Sequence, residues 1–184
     1  ILKKNKILIT FDEMQSGFSR TGYNFGYEFY GVKPDLICCG KGMGGGVPIS
    51  GVIGKKKIMD LPDVGSMSST HSANPMACAV GLAVIEEIES KDLINESSRK
   101  GELLKLGLNE LRELSEGRIS YILGEGLISS ILFQDPKTGS PDGLIASEIS
   151  ERCYQKGLLV VHTGRESIKI GPPLTIPDSA LIEG

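Results

Sequence analysis

Tryptophan is absent from this chain, and histidine occurs only as His71 and His162. The four cysteines, Cys38, Cys39, Cys78 and Cys153, form no C-x-x-C pair. With so few imidazoles and no paired thiols, neither a zinc site nor a disulfide framework is expected, and the cysteines read as buried reduced thiols. Positive charge is not in excess. Twenty Lys and Arg stand against 23 Asp and Glu, a formal charge of −3, so there is no general attraction to phosphodiester backbones. The cluster Lys55, Lys56, Lys57 is too short to change that, and no nucleic-acid partner is expected. No apolar run approaches the roughly 20 residues needed to cross a bilayer. The opening "ILKKNKILITFDE" also lacks the apolar core of a signal peptide. A cytoplasmic protein without a membrane partner is the expectation.

What the chain does have is glycine, 24 among 184 residues, and a length that suits one good-sized domain or two small ones. It begins at Ile1 without a methionine and stops at "PDSALIEG" as a helix starts, so both ends read as cut from a longer polypeptide. "KILITFDE" predicts a buried strand, because Ile7, Leu8, Ile9 and Phe11 form a nearly continuous apolar run ending in Asp12 and Glu13. "DLICCG" repeats the pattern and delivers Lys41, and "ISGVIG" is a third short strand. After the loop "SMSSTHSANP", the stretch "MACAVGLAVIEEIES" predicts a helix with Asn74 as its cap and Pro75 in its first turn.

Residues 91–116 predict a second helix. Leu103, Leu104, Leu106, Leu108, Leu111 and Leu114 form its apolar face, its charges a solvated one, and Gly117 its end. A strand pair in "ISYILGEGLISSILFQD", a helix closed by Gly157 and two strands around Gly164 follow, in the order β-β-α-β-β. A boundary is placed near residue 95, with an α/β layer before it and a smaller α+β domain after it.

Three places carry chemistry. Asp12 and Lys41, at the carboxyl ends of two strands of one open sheet, would share the crevice in which such sheets bind ligands. A buried lysine has its pKa lowered by desolvation, which suits Schiff-base chemistry, and flanking glycines let the backbone approach a flat ring. The plain alternative is a mobile loop with a solvated lysine, and from spacing alone the two stand level. A phosphate cradle is not supported, since neither G-x-G-x-x-G nor G-x-x-x-x-G-K-[ST] fits "GKGMGGG". "SSTHSANP" brings hydroxyls to a helix N-terminus, which favours an anion, though taken alone simple capping by Asn74 is the better explanation. Asp12 also reads as an ordinary turn residue, and His71 as an ordinary loop residue.

Taken together, "ILITFDEMQSGFSRTG", "YGVKPDLICCGKGMGGGVPISGVIG", "STHSANPMACAVGLAVIE" and "IKIGPPLTI" resemble the class III aminotransferases of fold type I, which include ornithine and 4-aminobutyrate aminotransferases. The resemblance implies part of a large mixed α/β cofactor domain over residues 1–95 and a small α+β C-terminal domain over 96–184, with the family's N-terminal portion missing. It implies pyridoxal 5'-phosphate as cofactor, a homodimer with shared active sites, and transfer of an amino group between an amine or ω-amino acid donor and a 2-oxo acid. By motif, Asp12 faces the pyridine nitrogen, Gln15 lies near the phenolic oxygen, and Lys41 forms the internal aldimine and moves the proton. Thr70 reaches the phosphate of the neighbouring subunit.

Two positions depart from the family pattern. Lys169 stands where an arginine three residues before the Pro-Pro pair grips a substrate carboxylate, and a lysine offers a point charge rather than a bidentate fork. Leu123 stands where many members have arginine before the G-x-G-L turn, and Arg165 is a nearby substitute. A mutase or decarboxylating transaminase of the same fold, an inactive fragment or dimerisation module, and a nucleotide binder are the alternatives. Were the 184 residues the whole polypeptide, weak cofactor binding and little turnover are expected.

Overall fold

The computed structural model describes residues 3–5 and 7–184. Lys6, the first residue of the expected "KILITFDE" strand, lies outside them, as do Ile1 and Leu2. By its internal contacts the chain divides into two compact units, Ile1–Ile94 and Asn95–Gly184.

The first unit is built on a three-stranded sheet. Thr10–Asp12 (β1) pairs in parallel with Leu36–Cys39 (β2), placing Asp12 opposite Cys38, and β2 pairs antiparallel with Gly51–Gly54 (β3). Between β1 and β2 lies a long turn and a single helical turn, Gly26–Phe29 (α1). Lys56–Met59 (α2) follows β3, and Pro75–Ser90 (α3) begins as expected, with Pro75 at its first position and Asn74 capping it. At the strand entrances Asp35 Oδ2 accepts from the Ile9 N–H at 3.0 Å and Oδ1 from Lys55 Nζ at 2.5 Å. The Lys55 hydrogen bond, then that from Ile9, holds the Asp35 carboxyl below the usual carboxylate range. One acidic side chain thereby ties the chain ahead of β1 to the residue after β3.

The expected strand is shorter and less buried than its apolar run suggests. Ile7 and Leu8 are 50% and 52% exposed and precede β1. A continuous apolar run reads as buried because parallel sheets are covered on both faces, and among the described residues β1 is an edge strand paired with β2 alone. All four cysteines are free thiols, but only Cys39 is buried, and Cys38, Cys78 and Cys153 are half-buried.

The second unit holds a four-stranded antiparallel sheet ordered β4-β5-β7-β6, formed by Ile119–Glu125 (β4), Ile128–Phe133 (β5), Val161–His162 (β6) and Ser167–Ile170 (β7). With it pack Leu93–Leu114 (α4), whose first two residues precede the unit, and Gly143–Gln155 (α5), while Asp178–Glu183 (α6) closes the chain. The core joins Leu104 and Leu108 of α4, Ile131 and Phe133 of β5, Ala146 of α5 and Ile168 of β7. Alternation along β5 sends Ser129, Ile131 and Phe133 inward, as a half-buried antiparallel strand requires.

The leucine face of α4 is narrower than expected: Leu103 is half-buried, and Leu106, Leu111 and Leu114 are exposed. Leu106 lies about 200° round the helix from Leu104, and Leu111 and Leu114 run on past the core cluster. Its charged face is not wholly solvated either. Lys100 is 7% exposed, pairs with Glu96 at 3.4 Å and reaches the carbonyl of Leu174 at the same distance. The Pro-Pro segment after β7 lies on that turn of α4, which is why a residue patterned as surface is covered.

Helix α4 also approaches the β4–β5 turn closely. A Cβ built on Gly101 would stand 2.5 Å from Gly126 Cα and 2.7 Å from its carbonyl atoms, whereas a Cβ on Gly107 of the same helix meets nothing within 4 Å. Gly101→Ala is therefore expected to destabilise the protein by about 1–3 kcal/mol through overpacking against backbone. Gly107→Ala is expected to leave stability unchanged or raise it by up to about 1 kcal/mol through helix propensity. Urea denaturation of the two variants measures the contrast.

Helix α6 is tied back to α4 by Arg99, whose guanidinium donates to both oxygens of Asp178 at 2.8 and 2.9 Å and to Glu96 at 3.0 and 3.2 Å. These hydrogen bonds hold both carboxyls below their ordinary values. A depressed folded-state pKa contributes stability above the unfolded value, near 4 for a carboxylate, and that stability is lost as pH falls through the folded value. The difference in melting temperature between the protein and Arg99→Ala is thus expected to be largest near neutral pH and to shrink below about pH 4, and small at high salt because the pair is half exposed. Thermal melts across pH 3 to 7 check it.

Candidate active site

Because β1 and β2 run parallel, whatever follows each of them emerges at the same end of the sheet. After β1 come Asp12, its last residue, then Glu13 and Gln15; after β2 come Gly40 and Lys41. The pairing continues one residue past β1, where the Glu13 N–H donates to the Cys38 carbonyl at 2.9 Å. Asp12 is exposed, and its Oδ1 accepts from the Met14 N–H at 3.1 Å, a short turn that fixes the carboxylate at the strand end. Gln15 is exposed on the same turn.

Lys41 opens a short 3-10 turn, Lys41–Gly44. It is exposed rather than buried, and its φ of +44° lies in the left-handed region that non-glycine residues seldom adopt. Its preceding glycine serves local packing as well as access: a Cβ on Gly40 would lie 2.5 Å from Met14 Sδ. Helix α3 supports the turn from its other side, with Gly81 placed so that a Cβ would meet the Met43 carbonyl at 3.5 Å.

Thr70 lies in the exposed loop ahead of α3, with His71 exposed beside it. At the helix start itself, Asn74 Oδ1 accepts from the N–H groups of Met76 at 3.0 Å and Ala77 at 3.4 Å, so capping uses amides that an anion would otherwise take. The fold therefore gathers Asp12, Gln15 and Lys41 at one sheet end, and places Thr70 in the loop that leads to the helix packed against the Lys41–Gly44 turn.

Lys169 belongs to the second unit. It is half-buried on β7, opposite Ser130 of β5 and Val161 of β6, while Leu123 of β4 stands opposite Ser130. Leu123 and Lys169, 46 positions apart in sequence, thus share one cross-strand row on the sheet face away from the core. Arg165 is exposed in the β6–β7 turn, 3.5 Å from the Glu166 carboxylate, and its carbonyl meets His162 Nε2 at 2.9 Å.

One residue at the site goes beyond the sequence reading. Glu13 is 1% exposed, and burial, then its charge, push the adjacent Cys39 thiol pKa up. In the sequence Glu13 is merely the second of two neighbouring carboxylates. The only signal for it is the pair of small residues Ser16 and Gly26, which its carboxylate turns out to need.

Comparison with known proteins accords with this geometry. The chain matches the family model of aminotransferase class III over residues 1–184. It is 41% identical over 186 residues to leucine/methionine racemase of Thermococcus litoralis, covering 100% of this chain and 42% of that protein. It is 36% identical over 183 residues to acetylornithine aminotransferase of Synechocystis, covering 100% and 41%. The crystal structure of acetylornithine aminotransferase from Elizabethkingia anophelis superposes with a TM-score of 0.87 at 32% identity, over 99% of this chain and 44% of that one. An S-selective transaminase from Arthrobacter superposes with a TM-score of 0.88 at 27% identity, over 99% and 43%. The chain spans about two-fifths of the length of the curated relatives it matches. Its fold is that of the fold type I transaminases, and with a lysine and an aspartate both following the same end of a parallel strand pair and a family model matched along its whole length, the chain belongs to the class III aminotransferases.

Proposed function

We propose that this chain carries the cofactor lysine and aspartate of a pyridoxal-phosphate-dependent transaminase, which moves an amino group between an amine or ω-amino acid donor and a 2-oxo acid. The observation that supports it most directly is the parallel pairing of β1 with β2, which sends Asp12 and Lys41 out of the same sheet end. The residues fit the cofactor chemically. A carboxylate held by the Met14 N–H, an amide and an exposed amine emerge together, matching a ring nitrogen, a phenolic oxygen and an aldehyde.

When bound, the cofactor supplies an electron sink for a carbanion. In this reading Asp12 keeps a proton on the ring nitrogen by its negative charge. Gln15 donates to the phenolic oxygen. Lys41 Nζ would hold the cofactor, and its amine would move the proton at the substrate carbon, taking it as base and returning it as acid. Thr70 donates its hydroxyl to the cofactor phosphate of the partner in a homodimer. Lys169 binds a substrate carboxylate as a point charge, which discriminates carboxylate geometry less sharply than an arginine fork. Residues 1–95 are read as the later part of the cofactor domain and 96–184 as the small domain of a cytoplasmic enzyme.

A second reading is favoured by the relative named leucine/methionine racemase, at 41% identity. In that reading Lys41 and Asp12 would keep their places, and racemisation of an apolar amino acid needs no 2-oxo acid. Chiral chromatography of L-leucine incubated with the protein and pyridoxal phosphate separates the two. Transfer requires a 2-oxo acid, whereas accumulation of D-leucine without one selects the racemase.

Borohydride reduction in the presence of pyridoxal phosphate, followed by peptide mapping, is expected to find a pyridoxyl adduct on Lys41, absent in Lys41→Ala. No adduct at saturating cofactor overturns the proposal. Lys41→Ala is expected to lower turnover by at least about 10²–10⁴-fold, and Asp12→Asn to lower it while leaving the adduct in place. Steady-state kinetics with a 2-oxo acid acceptor measure both.

A further inference from the structure

Glu13 adjoins Asp12 but is turned away from the exposed site. Its carboxylate is almost wholly buried and is occupied by groups of the following turn. Oε1 accepts from the Tyr27 N–H at 2.8 Å, Oε2 from the Gly26 N–H at 2.9 Å and from the Ser16 hydroxyl, and its carbonyl accepts from the Gly17 N–H at 3.1 Å. Gly26 admits the carboxylate, since a Cβ there would stand 3.2 Å from Oε2. A charged group this deeply buried is tolerated only when its oxygens are satisfied. Here the donors come from both ends of the segment 14–27, so the carboxylate closes that segment into a loop.

The closed loop lies beside both flanks of Lys41. Met14 Sδ lies 2.5 Å from where a Cβ on Gly40 would stand, and Phe18 Cβ lies 3.7 Å from that of Gly42. Phe18 and Ser19 themselves have positive φ, +58° and +68°, as does Lys41 at +44°. Backbone held in that region persists only where its surroundings over-determine it. What surrounds Lys41 on the strand side is the loop that Glu13 closes.

We infer that Glu13 is a positioning residue: its buried carboxylate, by closing the 14–27 loop, clamps the backbone on either side of Lys41 and sets that lysine against Asp12. It touches neither cofactor nor substrate. Its work is to hold the two groups that do in one relative geometry, and small displacements of such groups cost large factors in rate. The inference rests on the assignment of Lys41 as the cofactor lysine, but its first test does not.

Hydrogen exchange of the cofactor-free protein reads the clamp directly, since local opening sets the exchange of the amides involved. In Glu13→Gln, which keeps the shape but sets amide hydrogens against the Gly26 or Tyr27 N–H, amides of residues 41–45 and 14–19 are expected to exchange at least ten-fold faster. Those in the middle of α3 are expected to be unchanged. If Glu13→Gln does not fold, Ser16→Ala, which removes one donor, is expected to show the same pattern with at least a two-fold increase. Exchange at 41–45 equal to that of the parent overturns the inference, whether or not the protein binds pyridoxal phosphate.

In the loaded protein, Glu13→Gln is expected to lower kcat at least ten-fold, with the KM for the amino donor within two-fold, and Glu13→Asp to recover part of the loss. A change in KM alone, or equal loss in Glu13→Asp and Glu13→Gln, also overturns it. Absence of a Lys41 adduct in the parent protein would instead count against the transaminase reading, and leave the exchange result to stand separately.

Discussion

Parallel pairing of two short strands is the constraint on which the site depends. Antiparallel strands would send Asp12 and Lys41 to opposite ends of the sheet, whereas the parallel register of β1 on β2, with Asp12 opposite Cys38, sends both to one end. Parallel strands require a crossover, and here that connection is the segment 13–35, which does more than return the chain. Its first half is folded back on the buried Glu13 carboxylate, and its far end carries Asp35, which bonds the Ile9 N–H and Lys55. Two acidic residues, one buried and one near the surface, thus secure the two ends of the strand pair, and the acid between them, Asp12, is left exposed.

The second unit is governed by a different balance. Its core is apolar and joins two helices to an antiparallel sheet, but α4 meets the β4–β5 turn backbone against backbone, Gly101 against Gly126. Lys100, next to Gly101, turns its amine toward the Leu174 carbonyl, and Arg99 takes Asp178. Three consecutive residues of one helix therefore contact the β4–β5 turn, the Pro-Pro segment and α6. The Pro-Pro segment follows directly on β7, where Lys169 stands, so the helix also constrains the stretch of chain leading away from that lysine.

Much of this was legible from local rules. Asn74 and Pro75 mark the start of α3 because an unpaired amide and a fixed φ are needed there whatever the surroundings. The β4–β5 pair, α5 with its end at Gly157 and the β6–β7 pair around Gly164 follow from alternation and turn chemistry in the same way. That Asp12 and Lys41 leave the sheet at the same end was readable from two apolar runs, one ending in a carboxylate and the other leading to a lysine. Burial was less legible. Ile7 and Leu8 were expected inside and are half exposed, while Lys100 was expected in water and is covered. Apolar periodicity reports which residues favour burial, but which of them is covered depends on the segments that arrive from elsewhere in the chain.

By itself the sequence determined the family, the order of the elements, the helix caps and the identities of the carboxylate and lysine at the ends of two strands, because each of these is set by residues close together in the chain. Only the tertiary structure decided that Glu13 is buried and closes a loop around Lys41, that Lys41 adopts a left-handed backbone, that α3 is capped through amides an anion would otherwise use, and that Leu123 and Lys169 share one row of a sheet. Each of these depends on contacts between residues that folding alone brings together, and their strength comes from excluding water around groups that, in the extended chain, would all be solvated.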